Sequence, residues 1–292
     1  MLRILRVEWM KVKNYRTFWI LLAITLVSIP AVSYMLFNLL KNSFPSGKGQ
    51  SLLGSPFGFP DVWQTVSWNS SLLFFIPAIL IITLTTNEFT YKTHRQNVID
   101  GWSRKQFVSV KLVEVLLLSV LTTIIVFLTA FAFGYFNHKA GAGAITVAGP
   151  GMGGGAGKGI GAGSIQTAGD SSVWRESRFV LFYFVEMLSY SLIAFLMALF
   201  VKRAGLAMGL FFIYMIVEQV LVGILGHSYD IQAANYFPEE VTDKLIPFPY
   251  VKALFAKQAN WENHIPIYLL VALLYMAIYC IATGRKFLKS DL

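Results

Sequence analysis

Few residues in this chain can do chemistry, and those few fall in three places. The first is a polar run, 87–111, which carries Glu88, Thr93, Arg95, Gly101, Ser103, Arg104 and Lys111 between two apolar stretches. Its carboxylate and guanidinium groups suit charge-assisted contacts, either to a partner protein or to one another across a turn. The second is the pair Glu186 and Glu218, each isolated inside an apolar run. A carboxylate there must find a partner or stay protonated. It either ties helices together by hydrogen bonds or lines a polar route, and the structural bond is the weightier reading. The third is His227 with Asp230 and Glu262 with His264, two-residue patterns too sparse for a metal centre and better read as solvated loop groups.

Two glycine patterns imitate nucleotide sites. Gly149, Gly151 and Gly154 satisfy G-x-G-x-x-G, yet no strand precedes them. The stretch at Gly157 and Lys158 resembles a phosphate loop, but Met152 stands at the first-glycine position and Gly159 at the Ser/Thr position. Twelve of the chain's 23 glycines lie within 141–169, and so dense a run produces such matches by chance. It reads as a flexible external loop. With no convergent set of His, Asp or Cys, no metal, cofactor or catalytic centre is expected, and the chain is not read as an enzyme.

The elements that hold these residues are set by composition. Hydrophobic residues make up 56% of the 292 positions and charged residues 13%, with a mean hydropathy of +0.61. A water-soluble domain carries about a quarter charged residues, so soluble, disordered and nucleic-acid-binding classes are excluded in favour of an all-α membrane protein. Six apolar stretches are long enough for a hydrocarbon core of about 30 Å, at roughly 18–40, 66–86, 107–136, 178–201, 205–226 and 265–283. Cys280 has no partner for an internal disulfide.

Fifteen of the 24 Lys and Arg residues fall before span one, between spans two and three, between four and five, and after six. That bias places both ends in the cytoplasm, explains the +9 net charge without nucleic acid, and sends 141–169 and 227–264 outward. Trp19, Trp63, Trp102, Trp174, Tyr250 and Trp261 sit near span ends, as amphipathic rings in a headgroup zone do. Residues 1–17 form a basic amphipathic lead-in with Leu2, Leu5, Trp9 and Val12 on one face, and 18–292 form the membrane domain. Glu114, three residues after Lys111, is expected to pair locally. The segment 227–264, rich in aromatics and prolines, is expected to fold into short outer-face helices, with 251–258 as one candidate. That segment is expected to pack on the membrane domain, and it carries the acids Glu239, Glu240 and Asp243. Gly101 offers a helix stop, and Ser103 an N-cap for the helix that follows.

The order E-F-x-Y-x-T…G-x-S-R-x-x-F…K, from Glu88, Phe89, Tyr91 and Thr93 through Gly101, Ser103 and Arg104 to Phe107 and Lys111, resembles the first cytoplasmic loop of ABC-2 type permeases. These are membrane subunits of bacterial ABC exporters. Six spans, cytoplasmic ends and a folded loop before the last span are similar to that family, so the resemblance covers essentially the whole chain. Lys92 departs from it, standing where many members have glycine, and the glycine-rich loop is a second departure. The resemblance implies a permease subunit in the bacterial cytoplasmic (inner) membrane, in a dimer with a second permease copy or paralogue. ATP and Mg would be held by a separate ABC ATPase, with no cofactor in this chain and no nucleic acid as partner. A cytoplasmic coupling helix between spans two and three would lie in a groove of that ATPase. Glu88, Phe89, Tyr91, Thr93, Arg95, Gly101, Ser103 and Arg104 would make the contacts. The alternative is a membrane component of an ATPase-coupled machine that moves or anchors a partner protein; an integral-membrane enzyme ranks below both.

Overall fold

A computed structural model describes residues 2–43, 56–91, 93, 103–139, 173–174, 176–228, 232–250 and 261–289. Among these residues the regular structure is entirely helical. Helix α1 (Leu2–Lys13) leads into α2 (Arg16–Ser43), and the Trp19 indole N–H donates to the Lys13 carbonyl at 2.8 Å across their junction. The chain continues through α3 (Val62–Ser71), α4 (Phe75–Thr90), α5 (Arg104–Lys139), α6 (Arg178–Val201) and α7 (Ala204–Gly223). A π-helical turn (Ile224–Ser228) and a 3-10 turn (Gln232–Tyr236) precede α8 (Pro238–Asp243) and the long α9 (Trp261–Lys289). The candidate helix at 251–258 and the glycine-rich run at 141–169 lie outside the described residues.

Five of these helices, α2, α5, α6, α7 and α9, are long and apolar enough to cross a membrane, and α3 with α4 makes a sixth if the pair is one span. The chain is therefore a multi-pass membrane protein. The apolar run 66–86 does not form one continuous helix. It is broken at residues 72–74, and its halves are bent by 46°. Ser70 and Ser71, just before the break, turn their hydroxyls onto the Val66 and Trp68 carbonyls at 2.7 and 2.8 Å, the back-bonding that bends helices.

Helix α6 is the axis of the bundle. It packs against α3, α4, α5, α7, α8 and α9, and 61% of its apolar stretch is buried, against 17% for α2 and for α7. The outward faces of α2 and α7, with Ile20, Ile24, Val27, Ile213, Ile216 and Val220 exposed, are the surface a bilayer covers. Two apolar cores stack along α6. One, at the α1 end, gathers Phe18, Phe107, Phe195, Phe211 and Phe287. The other, at the α8 end, gathers Trp63, Val126, Phe179, Tyr183, Val241 and Leu245. The Phe107 ring stacks on Phe287 with centroids 4.6 Å apart, tying the start of α5 to the last turns of α9. At the other end Gly134 lets the Phe59 ring lie against α5, where a Cβ would stand 2.4 Å from it.

Candidate functional site

At the α1 end, one buried lysine organises three carboxylates from three helices. Lys111 sits about two turns into α5 and is 3% exposed. Its Nζ donates to Glu8 Oε2 at 2.8 Å and to Glu114 Oε2 at 2.9 Å, and it also pairs with Glu88 Oε1. Lys11 closes the set from α1, donating to Glu8 Oε1 at 2.7 Å. Helix α1, the end of α4 and the start of α5 are thus joined by one ion network. The arrangement satisfies the general rule that buried charges persist only when paired and hydrogen-bonded. Burial pushes the Glu8 carboxyl up, but Lys111 and Lys11 together outweigh it and hold it at about 2. Because the folded value lies below the ordinary 4.5, this contribution is present above pH 4.5. It is lost as pH falls toward 2.

Glu88 is 7% exposed, and its carboxylate pairs with Lys111. The pairing of Glu114 with Lys111 follows the spacing, as expected. Phe89 lies under the Lys202 ammonium, 5.4 Å from the ring centroid, in the tight turn from α6 to α7 where Lys202 adopts φ 57°. The Thr93 hydroxyl donates to the Glu88 carbonyl at 3.4 Å. Ser103 N-caps α5 in a reciprocal box: Gln106 N–H donates to its Oγ at 3.2 Å, and Ser103 N–H donates to Gln106 Oε1 at 2.9 Å. Tyr91, 71% exposed, is the aromatic left facing outward at this end of α4. Arg95 and Gly101 lie outside the described residues, as does the Arg104 side chain.

Glu8 was the residue sequence reasoning missed. The signal was present: it is the sole acid among the first 60 residues, three positions before Lys11.

At the other end, Glu186 and Glu218 both converge on α8. Glu218 Oε1 accepts from the backbone N–H groups of Glu239 at 2.6 Å and Glu240 at 3.3 Å, so a span residue caps a neighbouring helix. Glu186, 3% exposed, lies near Ser71 at the break between α3 and α4 and within electrostatic reach of Asp243 and Glu239. The polar residues near these two carboxylates turn to other partners or outward. Ser189 donates to Glu239 Oε1 at 3.4 Å, Tyr190 donates to Asp243 Oδ1 at 2.7 Å, Ser191 meets Ser119 at 3.4 Å, and Gln219 is exposed. The outer segment packs on the bundle as expected, and it carries Glu239 inward, 1% exposed, with Asp243 against Tyr190. The cause is Val241 and Leu245, both fully buried in the core at this end, which carry the short helix inward.

Burial raises Asp243 to about 7, with Glu240 and Glu218 adding to the rise and the Tyr190 hydrogen bond opposing it. Burial, with Asp243 and Glu218, likewise lifts Glu239 well above the usual carboxylate range. A carboxyl raised in the folded state binds its proton more tightly there than when unfolded. Its favourable contribution is therefore complete below the unfolded value of 3.8 and is lost as pH rises through about 7. The thermal midpoint of the detergent-solubilised protein should fall between pH 5 and pH 8. Asp243→Asn, which keeps an acceptor for Tyr190, should remove part of that slope. An equal slope in both proteins would show that Asp243 does not titrate in this range.

No curated protein matches the chain. A family model described as "Protein of unknown function (DUF2705)" matches residues 54–292, which takes in both polar sites except for the α1 residues Glu8 and Lys11. Over that extent the chain belongs to the DUF2705 family.

Proposed function

We propose that the chain is the permease subunit of an ATP-binding-cassette transporter, moving a substrate outward with work received from a separate ATPase. The observation that carries this reading is the ion network about Lys111. It clamps together the two ends of the polar run 91–103, Glu88 at the end of α4 and Lys111 at the start of α5, and adds α1 to the same unit. A force applied to the run is thereby delivered to two spans at once. The capping box at Ser103 makes the connection into α5 stiff, and the exposed Tyr91 offers a contact beside it. In this reading the bundle has six spans, the α1 end faces the cytoplasm, and a second permease copy completes the transporter. In this reading Arg95 and Arg104 face the ATPase, with Glu88 tied to the bundle through Lys111 behind them.

Charge reversal tests the assignment. Arg104→Glu should reduce copurification of a cytosolic ATPase about tenfold, the effect of losing one charge-assisted contact, while membrane insertion and elution profile stay unchanged. Unchanged copurification and transport in an Arg95→Glu/Arg104→Glu double variant would remove the coupling role.

A further inference from the structure

Helix α1 has two opposed faces. Glu8 and Val12 turn into the bundle, the first onto Lys111 and the second onto the apolar core at this end. Arg6, Trp9, Met10 and Lys13 fall at i, i+3, i+4 and i+7, so they share the opposite side, and all four are exposed. Trp9 and Met10 are 52% and 53% exposed, a large apolar area to leave in water. Two observations fix where this face lies. Helix α2, the first stretch able to cross a membrane, begins three residues after α1 ends, and the indole bond from Trp19 to the Lys13 carbonyl joins the two. Helix α1 therefore sits at the end of a span, at the level of the headgroups. Trp9 also lines a cavity together with Leu117 and Leu121 of α5, which are 57% and 36% exposed, so its ring borders the lipid-facing side of the bundle. Aromatic and basic residues on one helix face at that depth are the makeup of an interfacial helix.

The charge on the face selects what covers it. Arg6, Lys13 and, at the start of α2, Arg16 are exposed and enter no ion pair among the described residues. Glu8, the sole acid among the first 60 residues, is 2% exposed and turned away from them. We infer that α1 docks this face onto the anionic phospholipid headgroups of the adjoining leaflet, with Arg6 and Lys13 at the phosphates and Trp9 and Met10 among the upper acyl carbons. A zwitterionic leaflet offers the same apolar layer but no net charge to attract the two cations. Because Glu8 reaches Lys111 from the other side of the helix, the charge of the leaflet also sets how firmly α1 is held against the bundle. This surface stands apart from the permease proposal, since docking on lipid needs no ATPase.

The test uses the purified full chain in nanodiscs of phosphatidylcholine alone or mixed equally with phosphatidylglycerol, with amide hydrogen exchange of α1 read by mass spectrometry. Exchange should be slower in the mixed discs, and the difference should shrink at high salt. Each basic residue near an anionic surface contributes about fivefold to such binding, so Arg6→Gln/Lys13→Gln should reduce the slowing by about 25-fold while exchange of α6 stays unchanged. Arg6→Lys/Lys13→Arg, which keeps both charges, should retain it, and the salt response of the unmodified chain stands as the readout if the glutamine variant fails to fold. Equal exchange of α1 in the two discs, or slowing that survives in the glutamine variant, would overturn the inference. Slowing on addition of a cytosolic extract, with no difference between the discs, would assign the face to a protein instead and overturn it as well.

Discussion

Replacing Lys111 with methionine is expected to destabilise the protein by about 3–5 kcal/mol, the usual consequence of removing one partner from a buried ion pair. Glu8, Glu88 and Glu114 would then share a buried space without the cation that each contacts. The readout is the fraction of monodisperse protein after detergent extraction, together with the thermal midpoint. Converting the three glutamates to glutamine alongside Lys111→Met should recover most of the loss, because neutral side chains of similar shape have no unpaired charge to desolvate. Wild-type behaviour of the single variant would show that the network contributes nothing to holding α1, α4 and α5 together. The proposed route for force into the spans would then be lost as well.

The second large effect is expected at the opposite end. Glu218→Leu leaves the N–H groups of Glu239 and Glu240 without their acceptor at the start of α8. An orphaned buried donor costs about 1–3 kcal/mol, and two are affected here. Glu218→Gln keeps a carbonyl oxygen in place and should lie close to wild type. A transport assay adds the discriminating result: if Glu218→Gln is stable but inactive, the carboxylate lies on the substrate route and is more than a cap. Equal stability of the leucine and glutamine variants would show that α8 is held by Val241 and Leu245 alone.

The spans were legible because a bilayer imposes a length: an apolar run near 20 residues has few other uses, and the described helices contain those runs. The break in the second span was not. Leu72 to Ile76 continue the apolar run, and the signals for the bend are local ones that a span tolerates: back-bonding at Ser70 and Ser71, and Pro77, which has no N–H for the Leu73 carbonyl. Local pairs were readable where partners share a helical face, as with Lys111 and Glu114 or Ser103 and Gln106. The contact from Lys111 to Glu8 spans 103 positions, and no periodicity reports it. Lacking that contact, the pairing of Glu88 with Lys111 was unreadable as well. The burial of Glu239 was unreadable for a related reason: it depends on Glu218, 21 positions away, supplying the acceptor that water would otherwise provide.

The central claim is that the run between α4 and α5 meets a cytosolic ATPase and passes its motion to the bundle. In-cell photo-crosslinking tests it directly, with a photoreactive residue placed in turn at Tyr91, at position 97 and at position 155. The account predicts a covalent adduct to one ATP-binding cytosolic protein from 91 and 97, lost in the Arg95→Glu/Arg104→Glu variant, and none from 155. Adducts to that protein from 155 alone, or no adduct from either 91 or 97 in fully inserted protein, would contradict it.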